Sequence, residues 1–430
     1  MNNKRRRKRR KGFAKWFTGL STKKKVALIA LMLILLLLLA VVFYVSWTFS
    51  KLDTEKIEED EIIINEFVEE EVGVGYTNFV LFGGDSRQGD VDKNLNTDAI
   101  IIVSLNNETK EVKMVSVYRD TLLDLSNGTI QKCNAAYSRG GAKQAINMLN
   151  KNLDLNIQKY VTVDFGAVAE VIDMLGGLEI NVSEAEMNAT NDYIYETAMV
   201  SGKEPHYISQ PGLQTLDGVQ ATTYARIRKG VGDDYARTER QRLVIKLAAE
   251  KAMRAGLGTL NQIIDKVFPR VSTNLTMAEV LKYAASLTKY KIGESSGFPF
   301  EKNAGTIPGK GSCVYPISLV ANVQQLHQFL FGTENYQASN TVQGISYEIQ
   351  NIVSTSYRDP VVEDPVVDNP VVDDPVVDDP VVDDPVVDDP IVDDPTVDDP
   401  VVDDPSGNTP VTPGDTTGSN TNVEDTSQTS

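Results

Sequence analysis

From Val26 to Trp47 the chain reads VALIALMLILLLLLAVVFYVSW, 22 residues without a charge. At about 1.5 Å per residue, a helix of that length crosses the ~30 Å hydrocarbon layer of a bilayer. The run is longer than the apolar core of a cleaved signal peptide, and no small-x-small cleavage site follows it closely, so it reads as an anchor. Tyr44 and Trp47 near its end suit the membrane interface. KRRRKRRK (Lys4–Lys11) and KKK (Lys23–Lys25) precede it, and the far flank is acidic. Positive flanks stay in the cytoplasm, which puts residues 48–430 outside the cell membrane. The basic head also suits anionic lipid or nucleic acid. A topology signal explains it more simply, and no nucleic-acid partner is expected.

Charge divides the rest. Residues 1–25 hold 12 Lys and Arg and no acid, and 21 acids with no base follow Arg358. Removing both from the total of −18 leaves about −9 for the body. The expected organisation is a basic cytoplasmic tail (1–25), a transmembrane helix (26–47), an acidic stalk (48–75), a folded body (76–335), a connector (336–358), a spacer (359–405) and a disordered end (406–430). In the spacer a proline recurs at every fifth position from Pro360 to Pro405, mostly as DPVVD. Fixed φ angles and self-repelling carboxylates favour an extended, polyproline-rich segment. Paired acids at this period do not match a calcium loop.

Within the body, Thr77–Gly83, Asp98–Leu105 and Glu111–Val117 read as strands, the last two joined by a turn at Asn106–Lys110. Gly141–Leu153 has helical spacing. Tyr160–Val163 reads as a strand, and Asp164 then caps a helix that ends at Gly176-Gly177. Leu178–Val182 is a further strand. Asp217 with Gln220, and Thr276 with Glu279, have capping-box spacing, and the later body reads as mainly helical. The fold class is therefore α/β, a central mixed β-sheet sandwiched by helices.

Two features carry chemistry. Asp85 and Asp98 each stand where a strand meets a loop, and such a pair suits either a hard divalent cation or proton abstraction. Arginines accompany them: Arg87 beside the first acid, Arg119 after the third strand, then Arg226, Arg228, Arg237 and Arg240 with Gln241. Arg226 and Arg228 share one face if their stretch is extended, and Arg237, Arg240 and Gln241 share a helical stripe. Guanidinium forks match phosphate oxygens. Other devices are missing: Gly305–Lys310 is one residue short of a P-loop, and H-E-x-x-H does not occur. Two histidines, His206 and His327, and two cysteines, Cys133 and Cys313, leave little room for a zinc cluster or a histidine-based triad. The cysteines lie in the exported part, where they are either bonded, stapling the loop after the third strand to the end of the body, or free and buried.

GGDSR (Gly83–Arg87), NTDAIIIVSL (Asn96–Leu105), VSVYRDT (Val115–Thr121), KCNAAYSRGG (Lys132–Gly141), YVTVDFGAVAEVIDMLGG (Tyr160–Gly177), GLQTLDGVQATTYARIR (Gly212–Arg228) and DYARTERQR (Asp234–Arg242) follow one another in order. This string resembles the LytR-CpsA-Psr family over about Thr77–Leu247. The resemblance implies an extracytoplasmic phosphotransferase that moves a glycopolymer from an undecaprenyl-pyrophosphate carrier to a hydroxyl of peptidoglycan. It implies that Asp85 and Asp98 hold Mg2+ (or Mn2+), and that Arg87, Arg119, Arg226 and Arg228 clamp the pyrophosphate. Arg237, Arg240 and Gln241 would line the same site, with Asp98 or Asp234 as general base and Arg119 as a catalytic partner. The lipid chain would lie in an apolar tunnel between sheet and helices. A phosphatase acting on the same lipid, transfer to a surface protein and a non-catalytic envelope regulator are the alternatives. The sequence departs from the family pattern at Asn96, where an arginine is usual, at Tyr118, where proline is usual, and at Cys133, which fits the stapling pair that some members carry.

Overall fold

The computed structural model describes residues 43, 44, 46–50, 53, 54, 57–66, 68, 73–84 and 97–356. Most of the expected anchor, Asp85, Arg87 and Asn96, and everything from residue 357 onward lie outside these. Among the described residues no helix is long and apolar enough to cross a membrane.

Seven described strands form one mixed sheet. In sequence they are β1 (Asp53–Thr54), β2 (Tyr76–Gly84), β3 (Thr97–Asn106), β4 (Glu111–Val117), β7 (Lys159–Asp164), β10 (Val271–Thr273) and β11 (Lys291–Phe298). Their spatial order is β1-β10-β7-β2-β3-β4-β11. β2, β3 and β4 are antiparallel neighbours, while β7 runs parallel to β2 and β11 parallel to β4. Three two-stranded pieces stand apart: β5 (Leu122–Asp124) with β6 (Ile130–Lys132), β8 (Leu178–Val182) with β9 (Gly212–Leu216), and β12 (Lys302–Ile307) with β13 (Gly311–Pro316).

Strand alternation assigns the two faces. Val80, Phe82, Ile100, Ile102, Val115 and Val117 enter the main core with three helices: α1 (Ala135–Leu153), α8 (Leu319–Phe331) and α9 (Asn340–Ser356). Each such buried side chain contributes about 1.5–3 kcal/mol. Leu81, Ala99, Ile101, Val161 and Val163 serve the other face, under α2 (Phe165–Met174) and α5 (Asp234–Arg254), and line a cavity there. α3 (Glu184–Ser201), α4 (Gly218–Tyr224), α6 (Leu257–Val267) and α7 (Met277–Ala285) complete the helices. α4 approaches α2 closely because Gly218 has no side chain; a Cβ there would sit 1.9 Å from the Ala169 carbonyl oxygen. The Asp164 cap and both capping boxes are present.

Three expectations differ from the fold, and one open alternative is decided. Residues 53–65 do not form a separate stalk. β1 joins the sheet edge, Ile57 and Ile62 pack on the main core, and the Ile63 amide donates to Asn147 Oδ1 at 2.8 Å. The body does not end near 335, because α9 puts Val342, Ile345 and Ile349 into the core. The later body is less helical than expected: β11 has no apolar alternation, and its ladder with β4 holds it in the sheet. Finally, Cys133 and Cys313 are free. Each thiol is buried and satisfied locally, Cys133 donating to the Tyr118 carbonyl at 3.2 Å and Cys313 to the Gly311 carbonyl at 3.3 Å. Burial pushes the Cys133 thiol above its usual range.

Candidate active site

Ion pairs converge where β3 begins, β4 ends and α5 begins. Asp98 is near the start of β3, Arg119 follows β4 after Tyr118, and Asp234 and Arg237 lie on the first turn of α5. The Arg119 guanidinium pairs with Asp98, lies 3.3 Å from Asp120 and 3.9 Å from Asp234. Arg228 lies 3.5 Å from Asp234 and 3.9 Å from Asp98. Arg237, only 2% exposed, lies 2.9 Å from Asp234 and donates to the Asp98 carbonyl at 3.1 Å. Arginine is almost never buried so fully without a reason beyond packing. The first half of α5 buries Arg237, Arg240, Gln241 and Arg242 together.

Beside this cluster is a polar cavity of about 270 Å³. Arg226, Arg228, Lys229 and Arg237 line it against two carboxylates, Asp98 and Glu196, so its wall carries an excess of positive charge. Burial and then the neighbouring Arg119 charge push the Arg228 pKa below its usual value. Burial also opposes the Arg119 cation, but Asp98, Asp120 and Asp234 together outweigh it and the pKa rises. Burial raises the Asp234 pKa against the pull of Arg228 and Arg119. An anion entering this cavity would relieve the strain among the cations.

Phe165 and Gln241 line the polar cavity and also the apolar one, which measures about 160 Å³. Phe165 is held from behind. Asp164, fully buried, caps α2 and receives Arg270 at 2.6 and 2.9 Å. In front, the Arg226 guanidinium stacks 4.7 Å from the Phe165 ring centre and donates to Thr197 at 3.1 Å. The two cavities thus share a wall at Phe165 and Gln241.

Of the residues singled out from sequence, Asp98, Arg119, Arg226, Arg228, Asp234, Arg237 and Gln241 come together. Arg226 and Arg228 do so from a tight turn rather than an extended stretch: the Arg226 and Ile227 amides both bond the Thr223 carbonyl, and buried Ile227 separates them. Arg240 lies off the cavity. It donates to the Ile227 and Val231 carbonyls at 2.7 and 3.1 Å and lies 3.5 Å from Glu186, bracing the loop that carries Arg228. Asp85 and Arg87 fall outside the described residues. Asp120, Phe165, Tyr193, Glu196, Thr197 and Lys229 were missed. Asp120 and Lys229 adjoin chosen arginines and were within reach; the α3 residues carry no pattern that marks them.

Among the described residues no group of three or more His, Cys, Asp or Glu suits a metal ion. Asp98 supplies one carboxylate, and Mg2+ asks for one or two, with phosphate oxygens and water completing its shell. Gly293–Gly297 (GESSG) has the spacing of a hydrolase nucleophile elbow, but Ser295 lies inside β11 opposite Met114 rather than at a strand–helix turn. His327 is buried against the Leu153 carbonyl, and exposed His206 pairs with Asp217.

The sequence model of the LytR_cpsA_psr family matches residues 41–324, more than half of the chain. The chain belongs to this family. Biofilm regulatory protein A of Streptococcus mutans serotype c is 30% identical over 218 residues, covering 47% of this chain and 51% of that protein. Polyisoprenyl-teichoic acid--peptidoglycan teichoic acid transferase TagV of Bacillus subtilis strain 168 is 30% identical over 207 residues, with the same coverages of 47% and 51%. The chain thus spans about half the length of these relatives. The crystal structure of protein gbs0355 from Streptococcus agalactiae superposes with a TM-score of 0.51 at 22% identity, over 68% of this chain and 97% of that one, and shares the fold. Within this family member the matched segment contains the described arginine–aspartate cluster and both cavities.

Proposed function

We propose that the protein is a phosphotransferase anchored in the cell membrane with its folded body outside. It would move a glycopolymer from a polyprenyl-pyrophosphate carrier to a hydroxyl of peptidoglycan. One observation carries this reading: a cation-rich polar cavity and an apolar one share a wall at Phe165 and Gln241. A polyprenyl pyrophosphate has this polarity, with a charged diphosphate beside a hydrocarbon chain. The names of several relatives as teichoic acid transferases support the choice of donor and acceptor.

In this mechanism the acceptor oxygen attacks the phosphorus that carries the glycan. The bond to the bridging oxygen breaks, and polyprenyl phosphate leaves with the electron pair. The product is a phosphodiester. Asp234 takes the hydroxyl proton, for which a raised carboxyl pKa is an asset. Arg119, Arg228 and Arg237 stabilise the charge on the transferring phosphoryl oxygens, and the ring of Phe165 with the Arg226 guanidinium holds the junction between diphosphate and lipid. Mg2+ held by Asp98 and Asp85 would neutralise further phosphate charge.

The test is transfer of a labelled glycan from its prenyl-pyrophosphate donor to peptidoglycan by the purified chain. Arg119→Ala and Asp98→Ala are expected to abolish transfer while leaving the melting temperature near that of the parent. Full transfer by both variants would remove the assignment. Release of glycan phosphate into water at equal rates with and without peptidoglycan would point to a phosphatase instead.

A further inference from the structure

Two helices bury less than their sequences equip them to bury. α6 carries Leu260, Ile263, Ile264 and Val267, and α7 carries Met277, Val280, Leu281 and Ala284. Both sets follow i, i+3, i+4, i+7 spacing, which normally packs a helix onto a core. Yet among the described side chains only Val267 is fully buried on α6, and none is on α7. A cavity of about 110 Å³ separates the stripes from Tyr44, Thr48 and Phe49. Tyr44 donates to Asn261 of α6, and β1 then pairs with β10. The apolar run Val26–Trp47 therefore ends on this face of the domain. Around it Phe43 is 74%, Trp47 51% and Leu281 48% exposed.

Charge singles out the same region. Leu257–Lys291, the stretch that carries both helices, contains five Lys and Arg against two Asp and Glu, in a body that is otherwise acidic. Lys282, next to Leu281 in sequence, and Lys289, in the turn that follows α7, are exposed. Continuity with the site is the third observation. Phe49, Ile263 and Phe268 share an apolar cluster with Val161 and Val163, and those two valines also wall the cavity that ends at Phe165. We propose that the α6–α7 face, together with residues 43, 44 and 46–49, lies on the headgroup layer of an anionic bilayer and admits the prenyl chain from it. Apolar stripes, exposed aromatics and a basic surplus are what such a surface needs. This rests on the anchoring and lipid-donor reading above.

The full chain, reconstituted into phosphatidylglycerol-containing vesicles, tests it. An environment-sensitive fluorophore is placed at Leu281→Cys, and separately at Leu213→Cys on β9, where the native side chain is 72% exposed. A nitroxide quencher carried on the lipid is expected to quench the first label about two-fold or more and the second hardly at all. Adding Lys282→Glu and Lys289→Glu is expected to reduce that quenching. Equal quenching at both sites, in a chain that resists alkaline extraction from the vesicles, overturns the face while leaving the anchor intact. Shielding of Leu281 that grows with protein density and ignores the lipid quencher assigns the face to a second copy and also overturns it. A chain that alkaline buffer strips from the vesicles defeats the anchoring itself, and this face with it.

Discussion

Arg228 and Arg240 come from neighbouring motifs, yet the structure sets them to different tasks. Arg228 faces the polar cavity, while Arg240 is spent on two carbonyls and Glu186. Arg228→Ala is expected to lower transfer about 10²–10³-fold, the size of a lost charge-stabilising donor. Its stability should stay within about 0.5 kcal/mol, since its side chain is partly exposed. Arg240→Ala is expected to cost about 2–4 kcal/mol of stability by stranding buried partners. Thermal melts beside a transfer assay separate the two. The sequence could not distinguish them, because helical spacing groups Arg237 with Arg240 but says nothing of which neighbour each meets. The grouping of Asp98, Arg119 and Asp234 came through the family resemblance, because acids at strand and helix ends are also ordinary turn and cap residues. His327 supplies a prediction at the same scale. Burial lowers its pKa from 6.5 to about 4, so the folded protein keeps it neutral while the unfolded chain protonates. Stability is then fully present above the unfolded value and is lost as pH falls from about 6.5 towards 4, on the order of 3 kcal/mol. His327→Gln should flatten that part of a pH–stability curve measured by denaturant unfolding.

Among the elements, the sheet was the most legible. β2, β3, β4 and β7 alternate between two apolar faces, and their strand pattern survives any choice of partner. β11 was not legible, because Lys291–Phe298 has no alternation and is fixed only by its ladder with β4. The apolar cavity was legible only through family resemblance, since Leu81, Ile101 and Val163 read equally well as core. That ambiguity gives a prediction. Val163→Phe fills space under α5. If the cavity is a packing gap, transfer stays unchanged. If it holds lipid, KM for a long-chain donor should rise roughly ten-fold or more, as steric exclusion from an apolar pocket does. Stability should fall by no more than about 3 kcal/mol, the upper end of what added core volume costs. Comparing short- and long-chain donors makes the effect specific, because a damaged arginine cluster would slow both alike.

For the whole molecule, the domain boundaries were the least legible feature, and Asp154 shows why. It closes α1 in a left-handed conformation and is fully buried. Its carboxylate accepts from Asn65 at 2.6 Å and from the Ser339 amide at 2.8 Å. Segments that read as stalk and connector are thereby fastened to the same helix end, by side-chain bonds that no periodicity announces. Removing residues 357–430 should accordingly leave the melting temperature and transfer near those of the full chain. Removing 336–430, which follows the boundary read from sequence, takes α9 with it. Val342, Ile345 and Ile349 leave the core, and such losses cost about 2–5 kcal/mol apiece. Together they reach or exceed most of the roughly 5–15 kcal/mol that holds a domain folded. The shorter chain is expected to show no cooperative unfolding transition by calorimetry. A sharp transition near the parent temperature would mean that α9 only decorates the fold.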